Sequence, residues 1–277
     1  MRLATVSGAA GTTAALLDGS DWRALPAPDL SALLAGTPAG PDLAALAHRA
    51  GDVVADAVPV LPLPRPGKVV CCGLNYGDHI DETGRERPRY PTLFGKFADT
   101  LTGPTDDLHL DAAADWDWEA ELAVVVGRPL HRADRATATA AVGGWTVAND
   151  LSARDWQRRT LQWMPGKVWD ATTPVGPVVV TRDEVDPTAG LAITCRVNGE
   201  TVQRDDTSTL VFDAADLLAY ISTFTVLRPG DLVLTGTPGG VGMARTPPRF
   251  LADGDVLETE IDGIGVLRNT VRMSGGS

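Results

Sequence analysis

Between residue 68 and the C-terminal end, apolar runs of about five to eight residues recur, each bounded by Gly, Pro or charged turn residues. They lie at 68–73, 120–126, 144–149, 177–181, 192–197, 231–235, 256–261 and 265–271. Runs this short, closed by chain-breaking residues, predict strands rather than helices. Convincing helical patterning is scarce there and is best at 152–159 and 213–223. Many strands with few helices exclude alternating βαβ units and predict a β-rich α+β domain. The first sixty or so residues differ: they are rich in Ala, Leu, Pro and Gly, with short helical runs at 29–35 and 41–50. They lead into VPVLPLPRPGKVV, where Pro59, Pro62, Pro64 and Pro66 fall almost alternately. Such a run is extended, a linker or an edge segment, because proline fixes φ and removes a backbone donor. The expected division is a small N-terminal domain with its linker at 1–65, then a main domain at 66–277.

Charge narrows the class of partner. Asp and Glu number 36 against 24 Lys and Arg, a formal charge of −12, and a net-negative surface repels phosphate backbones. Nucleic-acid binding is therefore not expected. No apolar run approaches the ~18–20 residues of a membrane helix, so no membrane partner is expected. The N-terminal residues carry one Arg and no long apolar stretch, unlike a secretory signal. Three cysteines, two of them adjacent at Cys71 and Cys72, make no disulfide framework. Together these features lead to the expectation of a cytoplasmic protein.

The segment DWDWEAELAVVVG is the most informative chemically. At a strand's period of two, Trp116, Trp118, Ala120, Leu122 and Val124 point one way and Asp115, Asp117, Glu119 and Glu121 the other. A row of carboxylates suits a solvated edge strand, or it suits a divalent cation held by hard oxygens: magnesium, manganese or calcium. In GGWTVANDLSARDWQRR a strand ends at Asn149 and Asp150, and a helix follows with Ser152 as its expected cap and Asp155 three residues on. Asp150 is thus at a strand end, where ligands commonly originate, and Arg154 and Gln157 share a helix face.

GLNYGDHIDETG places His79 and Glu82 three apart, so in a helical turn they meet. A carboxylate beside an imidazole fixes its tautomer and raises its basicity. The charged, Gly- and Pro-containing stretch after it has the composition of a mobile loop or lid. Lys167 and Lys96 each sit in a short Gly- or Pro-bounded segment, where a lone lysine is usually a solvated charge. LTGTPGGVG offers backbone N–H groups and Thr237 to a carboxylate, but it lacks the pattern of a nucleotide loop. His48, His109 and His131 have no partner motif and are expected at the surface. Cys71 and Cys72 are expected in the core.

In this order and spacing, GLNYGDHIDETG, FGKF, DWEAELAVVVG, ANDLSARDWQ, GKVWDATTPVGP, VNGE, LRPGDLVLTGTPGGVG and DGDVLETEIDGIGVLRN resemble the fumarylacetoacetate hydrolase family over roughly residues 66–272. The resemblance implies a mixed β-roll around the site, a small variable N-terminal α/β domain and a homodimer. It makes Glu119, Glu121 and Asp150 the ligands of magnesium or manganese, and Lys167 the lysine beside the metal. It makes Arg154 and Gln157 substrate contacts, Thr237 part of the carboxylate-holding loop, and His79 with Glu82 the lid dyad that activates water. Val168 and Trp169 depart from the Ser and Phe of many members, which predicts an altered pocket wall.

A 2-oxo acid is the substrate implied, with Lys167 and Arg154 offsetting its charge. A dication would withdraw electrons from the ketone and stabilise a carbanion at C3. Hydrolysis of the C3–C4 bond of an acylpyruvate-like acid is the first expectation. Decarboxylation of a β-keto acid such as oxaloacetate, or enol–keto isomerisation of a hydroxymuconate-type dienoate, uses the same chemistry. A non-catalytic binder on the same scaffold is the reading from a different class.

Overall fold

Every residue of Ala120–Val126 is buried, on both faces of the strand. Burial on both sides is what a near-continuous apolar run demands, and this strand lies inside the main sheet. It pairs antiparallel with Val142–Asn149 on one side and Leu232–Leu234 on the other. The structure is a computed structural model that describes residues 1–36, 40, 43–82, 84 and 86–275.

The main sheet runs in the order Asp21–Ala24, Gly11–Asp18, Arg2–Gly8, Thr173–Thr181, Val142–Asn149, Ala120–Val126, Leu232–Leu234, Val69–Gly73 and Thr92–Lys96. Leu101–Thr102 adds to Thr173–Thr181 in parallel. A second, five-stranded sheet runs Glu200–Asp206, Ala192–Val197, Val256–Ile261, Gly265–Ser274 and Leu108–Asp111. Pairing is mostly antiparallel, with parallel contacts where Leu232–Leu234 meets Val69–Gly73 and where Gly265–Ser274 meets Leu108–Asp111. The architecture is the expected mixed, strand-dominated α+β fold with few helices.

Two apolar layers follow from the alternation of side chains. Leu122, Val124, Val147 and Val180 of the main sheet pack with Ile193, Val197, Leu257, Leu267 and Val271 of the second sheet. On the opposite face, Ala123, Val125, Val179 and Leu234 pack under Leu30, Leu33 and Leu34 of the helix Leu30–Ala35. The Asp29 carboxylate accepts from the Ala32 N–H at 2.8 Å and caps that helix.

Each expected apolar run is a strand, and 120–126, 192–197 and 256–261 keep their bounds. The N-terminal region holds more strand than its composition suggested. Arg2–Gly8, Gly11–Asp18 and Asp21–Ala24 form a meander joined to the main sheet through Arg2 opposite Val180 and Leu3 opposite Val179. The helical run expected at 41–50 is Leu43–His48, and Pro41 and Asp42 lie outside the described residues. Within the proline-rich run, Val58–Pro59 pairs with Arg2–Gly8 as an edge segment.

The helix expected at 152–159 is shorter and differently begun. Ser152–Ala153 is a strand paired with Trp116–Asp117, and the helix is Arg154–Gln157. The Ser152 hydroxyl donates to the Asp150 carbonyl at 3.0 Å and caps nothing, while Asp155 accepts from the Asp115 N–H at 3.1 Å. The other helix is Ala214–Ser222, with Asp213 as its cap. Among the described residues no helix is long and apolar enough to cross a membrane.

Candidate metal centre

Glu121 lies in Ala120–Val126, Glu119 just before it, and Asp150 just after Val142–Asn149. Ala120 faces Asn149 across the ladder, and the Asp150 N–H donates to the Glu119 carbonyl at 2.9 Å. Adjacent strand ends thus bring the three acids together. One carboxylate oxygen from each lies within 4.8 Å of the others, and all three residues are buried. The row of four acids does not stay on one face. Asp115 is exposed, and the strand breaks after Asp117. Asp117 is fully buried but turned away: it accepts from the N–H groups of Trp118, Gly242 and Met243 and from Arg154 Nε.

Three cations surround the acids. Lys167 Nζ donates to Glu119 Oε2 at 2.7 Å and to Asp150 Oδ2 at 2.8 Å. Lys96 Nζ donates to Asp150 Oδ1. Arg154 reaches Glu119 Oε1 at 2.7 Å through Nη1, and its buried Nη2 has no hydrogen-bond partner among the described residues. Both lysines are buried, unlike the usual solvated lone lysine: an ammonium leaves water when paired carboxylates replace its hydration. Lys96 was not a site candidate, because its partner lies 54 residues away and the only sequence signal was the FGKF motif.

The protonation pattern follows from these contacts. Burial alone would raise the Glu119 carboxyl, but Lys167 and Arg154 outweigh it and hold it down at about 2. Glu121 goes the other way, pushed up by burial and then by the neighbouring Asp150 and Glu119. Burial opposes the charge on Lys167, yet Asp150 and Glu119 raise it above the ordinary lysine range.

Above the cluster opens a cavity of about 470 Å³ lined by, among others, His79, Glu119, Arg154, Gln157, Lys167 and Thr237. His79 and Glu82 lie on the helix Gly77–Glu82 and meet at 2.8 Å, Nδ1 to Oε1. The other Glu82 oxygen accepts from the Gly240 N–H at 2.9 Å, tying that helix to the loop carrying Thr237. Gln157 Oε1 accepts from Arg154 Nη1 at 3.0 Å. Gly236, at φ +99°, donates its N–H to Glu121 Oε2 at 2.7 Å, and a Cβ there would stand 2.8 Å from the Cys72 carbonyl oxygen. Thr83 and Arg85 of the expected lid lie outside the described residues.

Val168 and Trp169 do not line this cavity. Trp169 packs edge-on against Trp116 and Trp156 and donates to the Pro165 carbonyl at 2.7 Å, so the expected change of pocket wall does not occur there. Cys72 lines the cavity, but burial pushes its thiol up to about 12, away from the thiolate a nucleophile needs. His48, His109 and His131 are exposed, as expected.

The donor set fits a hard dication. Three carboxylates converge, and both lysines turn to Asp150, whereas among the described residues Glu121 has no cation and only the Gly236 N–H. These three carboxylates could hold a divalent ion, which would supply the missing charge.

A family profile for the fumarylacetoacetate (FAA) hydrolase C-terminal region matches residues 68–272. The human oxaloacetate tautomerase FAHD2A, mitochondrial, is 47% identical over 213 residues, covering 76% of this chain and 68% of that protein. The structure of 5-carboxymethyl-2-hydroxymuconate delta-isomerase from Mycobacterium smegmatis superimposes with a TM-score of 0.82 at 32% identity, covering 100% of both chains. That of fumarylpyruvate hydrolase from Pseudomonas aeruginosa, in complex with Mn2+ and pyruvate, gives 0.68 at 32% identity, covering 76% of this chain and 91% of that one. The human relative is mitochondrial, as are its rat and bovine counterparts, which overturns the expectation of a cytoplasmic protein.

Proposed function

The chain belongs to the fumarylacetoacetate hydrolase family of enzymes, and from that premise we propose that it is a divalent-metal-dependent enzyme interconverting the enol and keto forms of a 2-oxo dicarboxylic acid such as oxaloacetate. The observation that carries this reading is the convergence of Glu119, Glu121 and Asp150 beneath a cavity walled by cations. Glu119, Asp150 and Asp117 pair with Lys96, Lys167 and Arg154, and Glu121 beside them makes four acids against three bases. Two further positive charges leave the cluster cationic overall, complementary to an acidic substrate. The human relative named as an oxaloacetate tautomerase supports the same choice.

The residues divide the work. What a dication supplies when held by the three carboxylates is polarisation of the 2-oxo group, which acidifies the neighbouring C3–H. Arg154, with its buried Nη2, and Gln157 bind substrate oxygens on one wall of the cavity, and Thr237 binds a carboxylate on another. Lys167 donates toward the oxygen on which charge grows in the enol direction. Glu82 engages His79 Nδ1, which orients the ring and assigns proton exchange to Nε2. A proton leaves C3 and one arrives on the 2-oxo oxygen, with no net change in atoms.

The experiment is a spectrophotometric assay of enolic oxaloacetate with magnesium and with manganese, with carbon dioxide release measured in parallel. Loss of enol absorbance well above the buffer rate is expected. A rate equal to buffer at every metal loading would overturn the reading. Hydrolysis of an acylpyruvate is a second reading, supported by the His79–Glu82 pair and by the Pseudomonas fumarylpyruvate hydrolase. Pyruvate and a free acid as products of an acylpyruvate would favour it.

A further inference from the structure

Gln203 is 2% exposed and belongs to the second sheet, yet it bonds to Ala120 of the main sheet and to Thr237, which lines the cavity. Its Oε1 accepts from the Ala120 N–H at 3.0 Å, and its Nε2 donates to Thr237 Oγ1 at 2.8 Å and to the Pro238 carbonyl at 2.9 Å. The orientation of this amide is not ambiguous. A backbone N–H can only donate, so the amide oxygen must face Ala120; a carbonyl can only accept, so the amide nitrogen must face Pro238. Both amide hydrogens are then committed, one to Pro238 and one to Thr237.

That limits the direction of the Thr237 hydroxyl, which cannot donate to Gln203. Its oxygen accepts within the protein, so its own hydrogen must be given elsewhere, and no acceptor among the described residues takes it. Thr237 is 3% exposed and lines the cavity. The loop carrying it is held against the Gln203 strand: Gly240, at φ +98°, lies so near that a Cβ would stand 2.3 Å from the Val202 carbonyl oxygen.

We propose that Gln203 is a positioning residue that leaves the Thr237 hydroxyl hydrogen to be taken by a ligand, so that the cavity favours an ionised carboxylate over its neutral amide at that point. This rests on the reading of the cavity as a 2-oxo acid site. A hydroxyl free to rotate can donate or accept and discriminates poorly between a carboxylate oxygen and an amide NH2. With one lone pair engaged by Gln203 the hydroxyl keeps a second, but accepting an amide N–H there would leave its buried hydrogen unpaired, whereas a charged oxygen takes that hydrogen in a strong bond.

The test is calorimetric binding of pyruvate and of pyruvamide to the manganese-loaded protein, independent of turnover. Wild type should bind pyruvate at least roughly tenfold more tightly than pyruvamide, the scale of a charge-assisted hydrogen bond. Gln203→Glu presents only an acceptor to Thr237, so the hydroxyl turns inward and the preference should fall roughly tenfold through weaker pyruvate binding. Thr237→Val should lose the same preference, Thr237→Ser should keep it, and Gln203→Glu should add nothing in the Thr237→Val background. Equal losses for pyruvate and pyruvamide, additive effects in the double variant, or no pyruvate binding by wild type would each overturn the proposal. Neutron diffraction of the wild-type protein tests it without any variant: the Thr237 deuteron should point into the cavity, and a deuteron pointing at Gln203 refutes it. If enolic oxaloacetate is not turned over while the pyruvate preference depends on Gln203, the proposed reaction fails and this assignment stands.

Discussion

Lys167 and Glu119 form a buried ion pair of 2.7 Å at the floor of the cavity, and the same ammonium bridges to Asp150 at 2.8 Å. Removing one partner of such a pair leaves uncompensated charge in a dry interior. Lys167→Met should therefore destabilise the metal-free protein by about 3 kcal/mol. Manganese affinity should not weaken, because the positive charge repelling a dication has gone. Turnover should fall roughly 100-fold with the lost donor. Thermal melts with and without manganese, calorimetry and the enol assay read the three effects separately.

Glu121→Gln isolates the metal. The isosteric amide can still accept from the Gly236 N–H, and it removes one of three crowded like charges. Metal-free stability should be equal or higher. Manganese at about 100 times its Kd should stabilise the wild type by about 2.7 kcal/mol and this variant by far less. A wild-type-sized shift in melting temperature for the variant would show that Glu121 is not a ligand.

His79→Gln should lower kcat roughly 100-fold or more, the usual scale for a positioned acid–base group, with pyruvate binding unchanged. Glu82→Gln keeps an acceptor for the Gly240 N–H, so the loop contact survives and only the support of His79 is weakened. A loss of roughly tenfold is expected there. Comparable losses in pyruvate binding would place both residues in binding rather than proton transfer.

Asp213 carries a pH signature far from the site. It accepts from the Asp216 N–H at the start of Ala214–Ser222 and pairs with Arg135. Partial burial opposes its charge, but Arg135 and the cap prevail and hold its carboxyl below the ordinary range. A depressed carboxyl contributes stability above its unfolded value and loses it as pH falls through the folded value. Asp213→Asn should cost about 1 kcal/mol near neutral pH. The difference from wild type should shrink toward pH ~3, measured by urea unfolding at both pH values.

Gly240→Ala should displace the Thr237 loop. A positive φ costs about 1–2 kcal/mol for an L-residue, and the added Cβ meets the Val202 carbonyl besides. Pyruvate binding and melting temperature should both fall. A wild-type melt would show that the loop can move off the strand.

The legible parts of this molecule are those whose signal is local. The strand Ala120–Val126 carries its own alternation, and His79 and Glu82 meet because three residues is nearly one helical turn. The N-terminal strands escaped because Ala, Leu and Gly give little β-branched patterning, and their pairing depends on Val179 and Val180 some 177 positions on. Asp117 escaped for a related reason. Period two puts it beside Glu119, but a break in the strand turns it toward the amides of Gly242 and Met243, which no local pattern encodes. Lys96 needed Asp150, and Gln203 needed Ala120, both supplied by the tertiary fold.

The join between Arg2–Gly8 and Thr173–Thr181 makes the first residues a hem on the sheet. Cutting the chain at residue 66 would strip the hem and bare a raw strand border at Val179 and Val180. Such a border recruits any chain that can lie alongside it. A shortened protein of this kind should clump even where its acids and lysines remain in place, so solubility, rather than chemistry, is the first property the N-terminal meander protects.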